Sequence, residues 1–312
     1  MNTFLVTGGA GFIGSHTAEE LVRRGAKVRV LDDFSTGKQE NLSPFQSFIE
    51  LVEGDIRELE TCRRALRGVD FVFHLAALTS VPGSISDPLL NHEINVNGTA
   101  NLLLASSEAK VKRLVFASSA AVYGDSRTLP LREGTEGAPL SPYALSKLVG
   151  EKYCQLFYQL YGLETVCLRY FNVFGPRQDP FSAYASVIPL FINTILSEER
   201  PQIFGDGEQS RDFVFVADAV EANLGAIEAP DEALGGVFNI GSGERTTINS
   251  LVSEICELTG VSVRPIYADP RPGDITHSFA DIGNARRVLG FEPLVGFRQG
   301  LKKTAGWYME RK

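Results

Sequence analysis

The sequence lacks the usual features of a metal, disulfide or membrane protein. Its four cysteines are far apart with no C-x-x-C pair, and its four histidines do not stand at metal-ligand spacing. We therefore expect reduced cysteines that serve packing, and no bound metal. No apolar run reaches the ~20 residues of a membrane-spanning helix, and the opening MNTFLVTGG has none of the segments of a signal peptide. A cytoplasmic protein is expected.

Runs of basic residues are also missing. Thirty lysines and arginines are outnumbered by 38 aspartates and glutamates, which gives a net charge of −8. This balance argues against nucleic acid or an anionic membrane surface as a partner. The 312 residues, 44% of them hydrophobic, suffice for one large domain or two moderate ones.

Short apolar runs alternate with helical patterns along the first half of the chain. Strands are predicted at 3–7, 27–32, 48–55, 70–77, 113–119 and 164–172, and helices at 12–25, 60–68, 87–109 and 142–161. Apolar strands separated by helices are typical of a parallel sheet that helices cover on both faces. We predict an α/β fold of the doubly wound Rossmann type. After Gly175 the pattern is less regular, but a helix near 216–228 and a strand at 235–243 are expected to return to the main sheet.

A glycine-rich turn joins the first strand to the first helix. In VTGGAGFIG, residues 6–14, Gly9, Gly11 and Gly14 satisfy G-x-G-x-x-G, and Gly8, Gly11 and Gly14 satisfy the related G-x-x-G-x-x-G. Glycines there permit a tight turn and a close approach of the backbone to a pyrophosphate, while the helix N-terminus offers free N–H groups. This turn predicts a dinucleotide site.

Acidic residues after the next two strands refine that prediction. Asp32 ends the second strand, eighteen residues beyond Gly14, where it can accept hydrogen bonds from the adenosine ribose. Asp33 adds a second negative charge and no basic residue follows before Lys38, so NAD is favoured over NADP. Asp55 either faces the adenine or is a turn residue at the end of its strand; both interpretations are open.

The segment SPYALSK, residues 141–147, predicts a helix start with a tyrosine and a lysine on one face. Ser141 is a plausible N-cap and Pro142 suits the first helical position. Tyr143 and Lys147, four residues apart, stack about one turn from each other. They are either a surface pair on an amphipathic helix, or a functional pair in which Lys147 lowers the phenol pKa from ~10 toward neutrality.

Taken together, these motifs resemble those of the extended short-chain dehydrogenase/reductases. Further segments narrow the resemblance to UDP-hexose 4-epimerases of the UDP-glucose and UDP-N-acetylglucosamine type: SSAAVYG (118–124), RYFNVFGPRQDP (169–180), GDGEQSRDFVFVADA (205–219) and RPGD (271–274). The resemblance covers nearly the whole chain and implies NAD as cofactor, a UDP-sugar as substrate and a homodimer. The pattern of elements predicts a dinucleotide domain at 1–172 and about 215–240, with a smaller interleaved α/β lobe for the nucleotide sugar at about 173–214 and 241–312.

The resemblance implies a catalytic set of Tyr143, Lys147 and Ser119. Tyr143 would take the proton of the sugar 4-hydroxyl while C4 gives its hydride to NAD, Ser119 would hold the same oxygen, and Lys147 would bind the nicotinamide ribose. Contacts to NAD are expected from these two helix residues and from Gly8, Gly11, Phe12, Ile13, Gly14, Asp32, Asp33, Asp55, Ile56, Leu75, Ala76, Ala77, Asn95, Ser118 and Tyr170.

The resemblance also implies a set of substrate contacts: Ser80, Ser84, Ser119, Asn172, Ile203, Phe204, Arg211, Arg271, Asp274 and Ser278. The two arginines would hold the diphosphate together with Asn172, the aspartate the uridine ribose, and Ile203 and Phe204 the uracil. Ser278 would be a gate beside the C2 substituent, small enough to admit an N-acetyl group. The sequence departs from many relatives at Thr79, where they carry a lysine, and at Phe213, where a tyrosine is common.

Two alanines favour simple epimerisation. Ala120 and Ala121 follow Ser119, where related 4,6-dehydratases and decarboxylases place acidic residues. A methyl group cannot protonate a leaving hydroxyl. Alternatives remain: another NAD-dependent nucleotide-sugar oxidoreductase (a 4-reductase, a dehydratase or a uronate epimerase), or a binding protein that has kept the fold without catalysis.

Overall fold

The computed structural model of the chain describes residues 1–124, 126, 128–181, 186–270 and 275–311. Its strands are β1 Thr3–Thr7, β2 Lys27–Asp32, β3 Ile49–Glu53, β4 Phe71–His74, β5 Arg113–Ser119, β6 Glu164–Tyr170, β7 Asn172–Phe174, β8 Gln202–Phe204, β9 Ser210–Arg211, β10 Phe213–Phe215, β11 Gly236–Ile240, β12 Thr246–Thr247 and β13 Ile266–Ala268. Its helices are α1 Phe12–Arg23, α2 Leu59–Ala65, α3 Val81–Ser86, α4 Pro88–His92, α5 Gly98–Glu108, α6 Pro142–Tyr161, α7 Val187–Leu196, α8 Val216–Glu228, α9 Ile248–Thr259, α10 Gly283–Leu289 and α11 Phe297–Met309.

Seven parallel strands form the main sheet, in the order β11-β6-β5-β4-β1-β2-β3. Alternate residues of each strand supply the two apolar cores. On one face Val6 and Phe73 pack with α1 and α8, and on the other Leu5 and Leu114 pack with α2, α5 and α6. The predicted doubly wound α/β fold is confirmed, including the return of α8 and β11 to this sheet.

Two elements differ from the prediction near the sheet edge. The strand expected at 70–77 ends at His74, because the chain then turns so that Ala76 lies against the glycine turn. The helix expected at 87–109 is continuous, but its middle turn, Glu93–Asn97, is π-helical. Such single π turns are frequent at functional sites.

The second part of the chain builds a third apolar core. There α7, α9 and α11 surround Phe174, Phe213 and Phe215, and three two-stranded sheets pair β7 with β10, β8 with β13 and β9 with β12. The division into two domains stays a prediction. Helix α10, which it assigned to the substrate lobe, packs against β11 and α8 of the main sheet instead. Across the described residues, every helix is too short or too polar to cross a membrane.

Candidate active site

The glycine turn between β1 and α1 lies at the edge where the parallel strands end. Gly8 has a φ of +67°, and a Cβ added there would lie 2.7 Å from the backbone nitrogen of Ala76. A Cβ at Gly14 would lie 2.0 Å from the Gly8 carbonyl oxygen. These distances are shorter than any side chain tolerates, so both positions require glycine for the helix to approach the strand so closely.

Helix α1 begins at this turn with no side chain capping it. Gly11 is its N-cap, and the first turn contains no acidic residue. The N–H groups of Phe12, Ile13 and Gly14 therefore have no partner within the helix, and the helix dipole places a partial positive charge there. A turn without Cβ atoms beside an uncapped helix N-terminus fits the pyrophosphate of a dinucleotide.

Asp32 is bonded to the same turn. Its carboxylate accepts hydrogen bonds from the backbone N–H of Ala10 at 2.8 Å and of Phe34 at 2.9 Å. Burial raises the pKa of Asp32, while these two bonds act in the opposite direction. Phe34 takes a left-handed φ of +56° to make its bond. Asp33 is exposed and bonds Ser35, so the two carboxylates point to different partners.

Asp55 and Ile56, both predicted to contact the cofactor, are engaged with other parts of the protein. The Asp55 carboxylate accepts hydrogen bonds from the Arg57 backbone and guanidinium at 2.8 and 2.7 Å. Burial acts to raise the pKa of Asp55, but the bonds from Arg57 outweigh it and the pKa is lowered. The Ile56 side chain is buried and packs against Gly98. This geometry agrees with a turn role for Asp55 and a core role for the Ile56 side chain.

A buried polar chain fixes the loop after β4. His74 contacts Thr7 and Thr99 through its two ring nitrogens, at 2.9 Å each, and burial lowers the His74 pKa to about 3. Asn95, on the π turn, accepts a hydrogen bond from the backbone of Leu78 and donates one to its carbonyl oxygen. The predicted cofactor contacts Leu75, Ala76 and Ala77 lie in this loop, beside the glycine turn.

Tyr143, Lys147 and Ser119 meet where β5 ends against α6. Ser141 caps α6, and its side chain accepts a hydrogen bond from Ala144, as the sequence predicts. Ser119 is hydrogen-bonded to the Tyr143 hydroxyl. The Lys147 ammonium lies 5.9 Å from the centre of the Tyr143 ring. Both helix side chains are buried, so they are not a surface pair.

In the protein without a cofactor, Lys147 does not lower the pKa of Tyr143, contrary to the expectation. Burial raises the pKa of Tyr143 above its usual value, and the hydrogen bond with Ser119 offsets only part of that effect. Lys147 donates its hydrogen bond to the Ala117 carbonyl oxygen at 2.8 Å, and burial lowers its own pKa to about 8. The ammonium is therefore held against β5 rather than against the phenol oxygen.

Three predicted contacts have hydroxyls already engaged with protein groups. Ser118 donates to Glu151, and Tyr170 donates to Asn223 on α8. Ser84, predicted to line the sugar pocket, is fully buried and accepts a hydrogen bond from the Tyr143 backbone N–H at 3.1 Å. This geometry supports the first turn of the catalytic helix and does not fit a pocket wall. Ser80 is the half-buried N-cap of α3.

Three of the predicted substrate residues, Asn172, Arg211 and Ser278, come together around β9. The Asn172 amide donates to the Asp212 carbonyl oxygen at 2.9 Å, and the Arg211 guanidinium donates to the carbonyl oxygen of Ser210 at 3.0 Å. Ser278 is buried, and its N–H donates to the same Ser210 carbonyl oxygen. On β8, Ile203 is buried and Phe204 half-buried; Arg271 and Asp274 lie outside the described residues.

The structure shows the surroundings of Phe213 and Thr79, the two residues that depart from the family pattern. Phe213 belongs to an aromatic cluster, with its ring 6.2 Å from that of Phe174 and 5.5 Å from that of Phe297, so a hydroxyl has no polar neighbour among these rings. Thr79 is exposed. Ala120 and Ala121 form the start of a short 3₁₀ turn directly after Ser119.

The sequence analysis missed Glu151 and named Ser84 for a different role. Glu151 stands one turn after Lys147 on the same face of α6, so the i+4 spacing could have indicated it. Ser84 is 59 positions from Tyr143 in the sequence, and no local pattern links them.

Comparison with known proteins agrees with this geometry. The model of the NAD dependent epimerase/dehydratase family matches residues 4–241. Among solved structures, UDP-N-acetylglucosamine 4-epimerase from Methanobrevibacter ruminantium, in complex with UDP-N-acetylmuramic acid, is 42% identical. Its TM-score is 0.95, and the match covers 100% of this chain and 99% of that one.

Two further structures are also similar over nearly the whole chain. UDP-glucose 4-epimerase from Thermotoga maritima, with UDP-glucose, is 40% identical with a TM-score of 0.94 and 99% of each chain covered. UDP-glucose 4-epimerase from Thermus thermophilus, in complex with NAD, is 38% identical with a TM-score of 0.89, covering 98% of this chain and 99% of that one.

Proposed function

The chain belongs to the NAD-dependent epimerase/dehydratase family, and from that premise we propose that it is a UDP-sugar 4-epimerase. The observation that carries the proposal is the meeting of Tyr143, Ser119 and Lys147 beside a turn that fits a dinucleotide. The three solved structures described above, each similar over nearly the whole chain, are 4-epimerases of UDP-sugars.

Tyr143 is the proton acceptor for the sugar 4-hydroxyl in this proposal. Its hydroxyl is hydrogen-bonded to Ser119, which can hold the same sugar oxygen and pass the proton. The glycine turn and Asp32 would hold NAD, which supplies the redox chemistry at C4 and a positive charge that favours the phenolate. Lys147, held against β5, keeps a second positive charge in a buried setting where it acts with little screening.

The residues after Ser119 support epimerisation over elimination. Ala120 and Ala121 present methyl groups where an acid is needed to protonate a leaving group. A 4-keto sugar formed here has no catalyst for loss of water or carbon dioxide at this position. For inversion, the 4-keto sugar would turn over in the site before the hydride returns to the opposite face of C4.

We expect the purified protein to carry NAD and to interconvert UDP-glucose and UDP-galactose without added cofactor. The glycine turn and Asp32 motivate cofactor retention, because the cofactor is regenerated within each cycle. Bound NAD is measured after denaturation, and the products are separated by chromatography. Stoichiometric release of NADH with an accumulated keto product would contradict the proposal.

The substrate range depends on the small residue at Ser278. A serine there leaves room beside C2, so we propose that UDP-N-acetylglucosamine and UDP-N-acetylgalactosamine are accepted as well. Ser278→Tyr is expected to lower kcat/KM for the N-acetylated pair at least ~10-fold and to leave the plain hexoses within about 3-fold, by steric exclusion. Ser278→Ala is the matched control and should preserve all four activities. Equal loss on every substrate would reject the gate.

We further propose a homodimer through α6 and its neighbours. This face exposes a set of large apolar side chains: Val81, Ile85, Leu89, Leu104, Leu145, Tyr153, Leu156, Leu160 and Tyr161. Helices α3, α4 and α5 all contact α6, so the set forms one surface. An apolar surface of this kind on a globular protein marks an interaction site.

Sedimentation at micromolar concentration is expected to give twice the 34.0 kDa chain mass. Leu156→Glu should shift the protein toward the monomer, because it buries a charge in the interface. Leu294→Glu is the control, since Leu294 is exposed in the loop before α11. A monomeric wild-type protein would reject the dimer.

A further inference from the structure

Glu151 is a buried carboxylate directly beneath the catalytic set. It is fully buried on α6, one turn after Lys147. Its two oxygens accept hydrogen bonds from the Arg169 guanidinium at 2.8 and 2.7 Å, and one of them also accepts the Ser118 hydroxyl. Ser118 directly precedes Ser119, so these bonds join the catalytic helix to the end of the strand that carries the serine.

Stability alone does not explain a buried carboxylate such as Glu151. A buried ion pair often contributes no more than apolar residues of the same volume, because both charges lose their hydration. Arg169 also donates to Glu136, and its guanidinium stacks 4.8 Å from the centre of the Tyr123 ring. The arginine is thus partnered on both sides, and Glu151 lies one helical turn after Lys147 on α6.

Assuming the proposed 4-epimerase function, we propose that Glu151 is a positioning residue that keeps the Lys147 ammonium charged and anchors the end of β5 at Ser118. Lys147 is buried, and a buried ammonium tends to lose its proton. A carboxylate one turn away opposes that loss. The same side chain fixes the residue before Ser119, so one substitution would affect both the charge and the serine.

The groups around Lys147 support this assignment. On α6 it faces Tyr143, Glu151 and the Cys154 thiol; burial lowers the Lys147 pKa to about 8, and Cys154 and Glu151 act to raise it. From β5 it meets the Ala117 carbonyl oxygen and, at 5.1 Å, the Phe116 ring.

The remaining neighbours do not supply the same charge. On β4, His74 is neutral near pH 7, because burial lowers its pKa to about 3. On β6, Arg169 is a cation. The interaction with the Cys154 side chain and burial together hold the pKa of the Cys167 thiol well above its usual value, so this thiol carries no charge. Glu136 reaches only the outer side of Arg169. Among the described groups that surround Lys147, Glu151 is the carboxylate that favours its charge.

The test is the pH profile of kcat/KM for the NAD-bound enzyme in the variant Glu151→Gln. We expect its alkaline limb to move toward neutral pH by about one unit, a ~10-fold change in the proton dissociation constant of Lys147. Glu136→Gln is the matched control: it removes the other carboxylate from Arg169 and should leave the limb in place. Glu151→Asp, which keeps the charge, should restore the limb.

Two further measurements keep the test decisive. If Glu151→Gln does not fold, Glu151→Gln/Arg169→Met removes the pair without leaving an unpaired arginine. A smaller shift in the same direction is then expected, because the positive charge of Arg169 is removed as well. The ¹³Cε chemical shift of Lys147, assigned with Lys147→Arg, titrates the ammonium without turnover, so it reports on Glu151 even if the wild type epimerises no UDP-sugar. An unchanged Lys147 titration in the Glu151 variants would overturn the inference and leave only a structural role.

Discussion

Replacing Tyr143 by phenylalanine is expected to lower turnover ~10²–10⁴-fold, the range that positioned proton transfer contributes. The substitution removes the hydroxyl that Ser119 bonds and leaves the ring in its buried site. Bound NAD per chain should stay at the wild-type level, because the glycine turn and Asp32 are untouched. Turnover is measured on UDP-galactose, and the cofactor is quantified after denaturation.

The control is Tyr161→Phe, at the exposed end of the same helix. It removes a hydroxyl far from the site and should keep the wild-type rate. Retention of more than a third of the activity in Tyr143→Phe would show that another group accepts the proton. Loss of bound NAD in that variant would mean instead that the site had collapsed.

Gly14→Ala is expected to separate the protein from its cofactor. The added methyl group would lie 2.0 Å from the Gly8 carbonyl oxygen, and a backbone atom cannot rotate away. Overpacking of this kind typically costs about 1–3 kcal/mol. If that strain opens the turn, bound NAD per chain should fall at least ~10-fold, which corresponds to about 1.4 kcal/mol.

Gly306→Ala provides the comparison within the same chain. Gly306 lies inside α11, and nothing stands within 4 Å of an added Cβ. Alanine is the better helix former by roughly 0.5–1 kcal/mol, so this variant should unfold at a slightly higher denaturant concentration. Equal NAD content in the two variants would contradict the role of the glycine turn.

The sequence predicted the elements whose signal is local. The apolar runs of the main sheet, the glycine turn and the capped start of α6 each depend on residues within one short segment. The two- and three-residue strands β7 to β10, β12 and β13 carry no periodicity to detect. The π turn at 93–97 likewise has no sequence pattern, since it arises from packing against the loop after β4.

The predictions for the candidate site divide in the same way, into features set locally and features set by contacts between distant segments. The proximity of Tyr143 and Lys147 and the role of the glycines could be predicted from the sequence, because helix and turn geometry determine them. The hydrogen bonds of the Ser84 and Ser118 hydroxyls could not be predicted from the sequence, since their partners lie on other elements. The raised pKa of Tyr143 in the protein alone could not be predicted from the spacing either, because burial is a property of the assembled fold.

The position of β11 has a consequence for biosynthesis. This strand closes the edge of the sheet beside β6, yet the ribosome makes it only after β7 to α8. Arg113 on β5 also depends on that segment for its hydrogen bonds, because its guanidinium donates to the carbonyl oxygens of Ala226, Ile227 and Ala229. A nascent or truncated chain ending near residue 172 therefore presents β6 as an open edge that other chains can pair with. A fragment that ends at that boundary is therefore expected to aggregate.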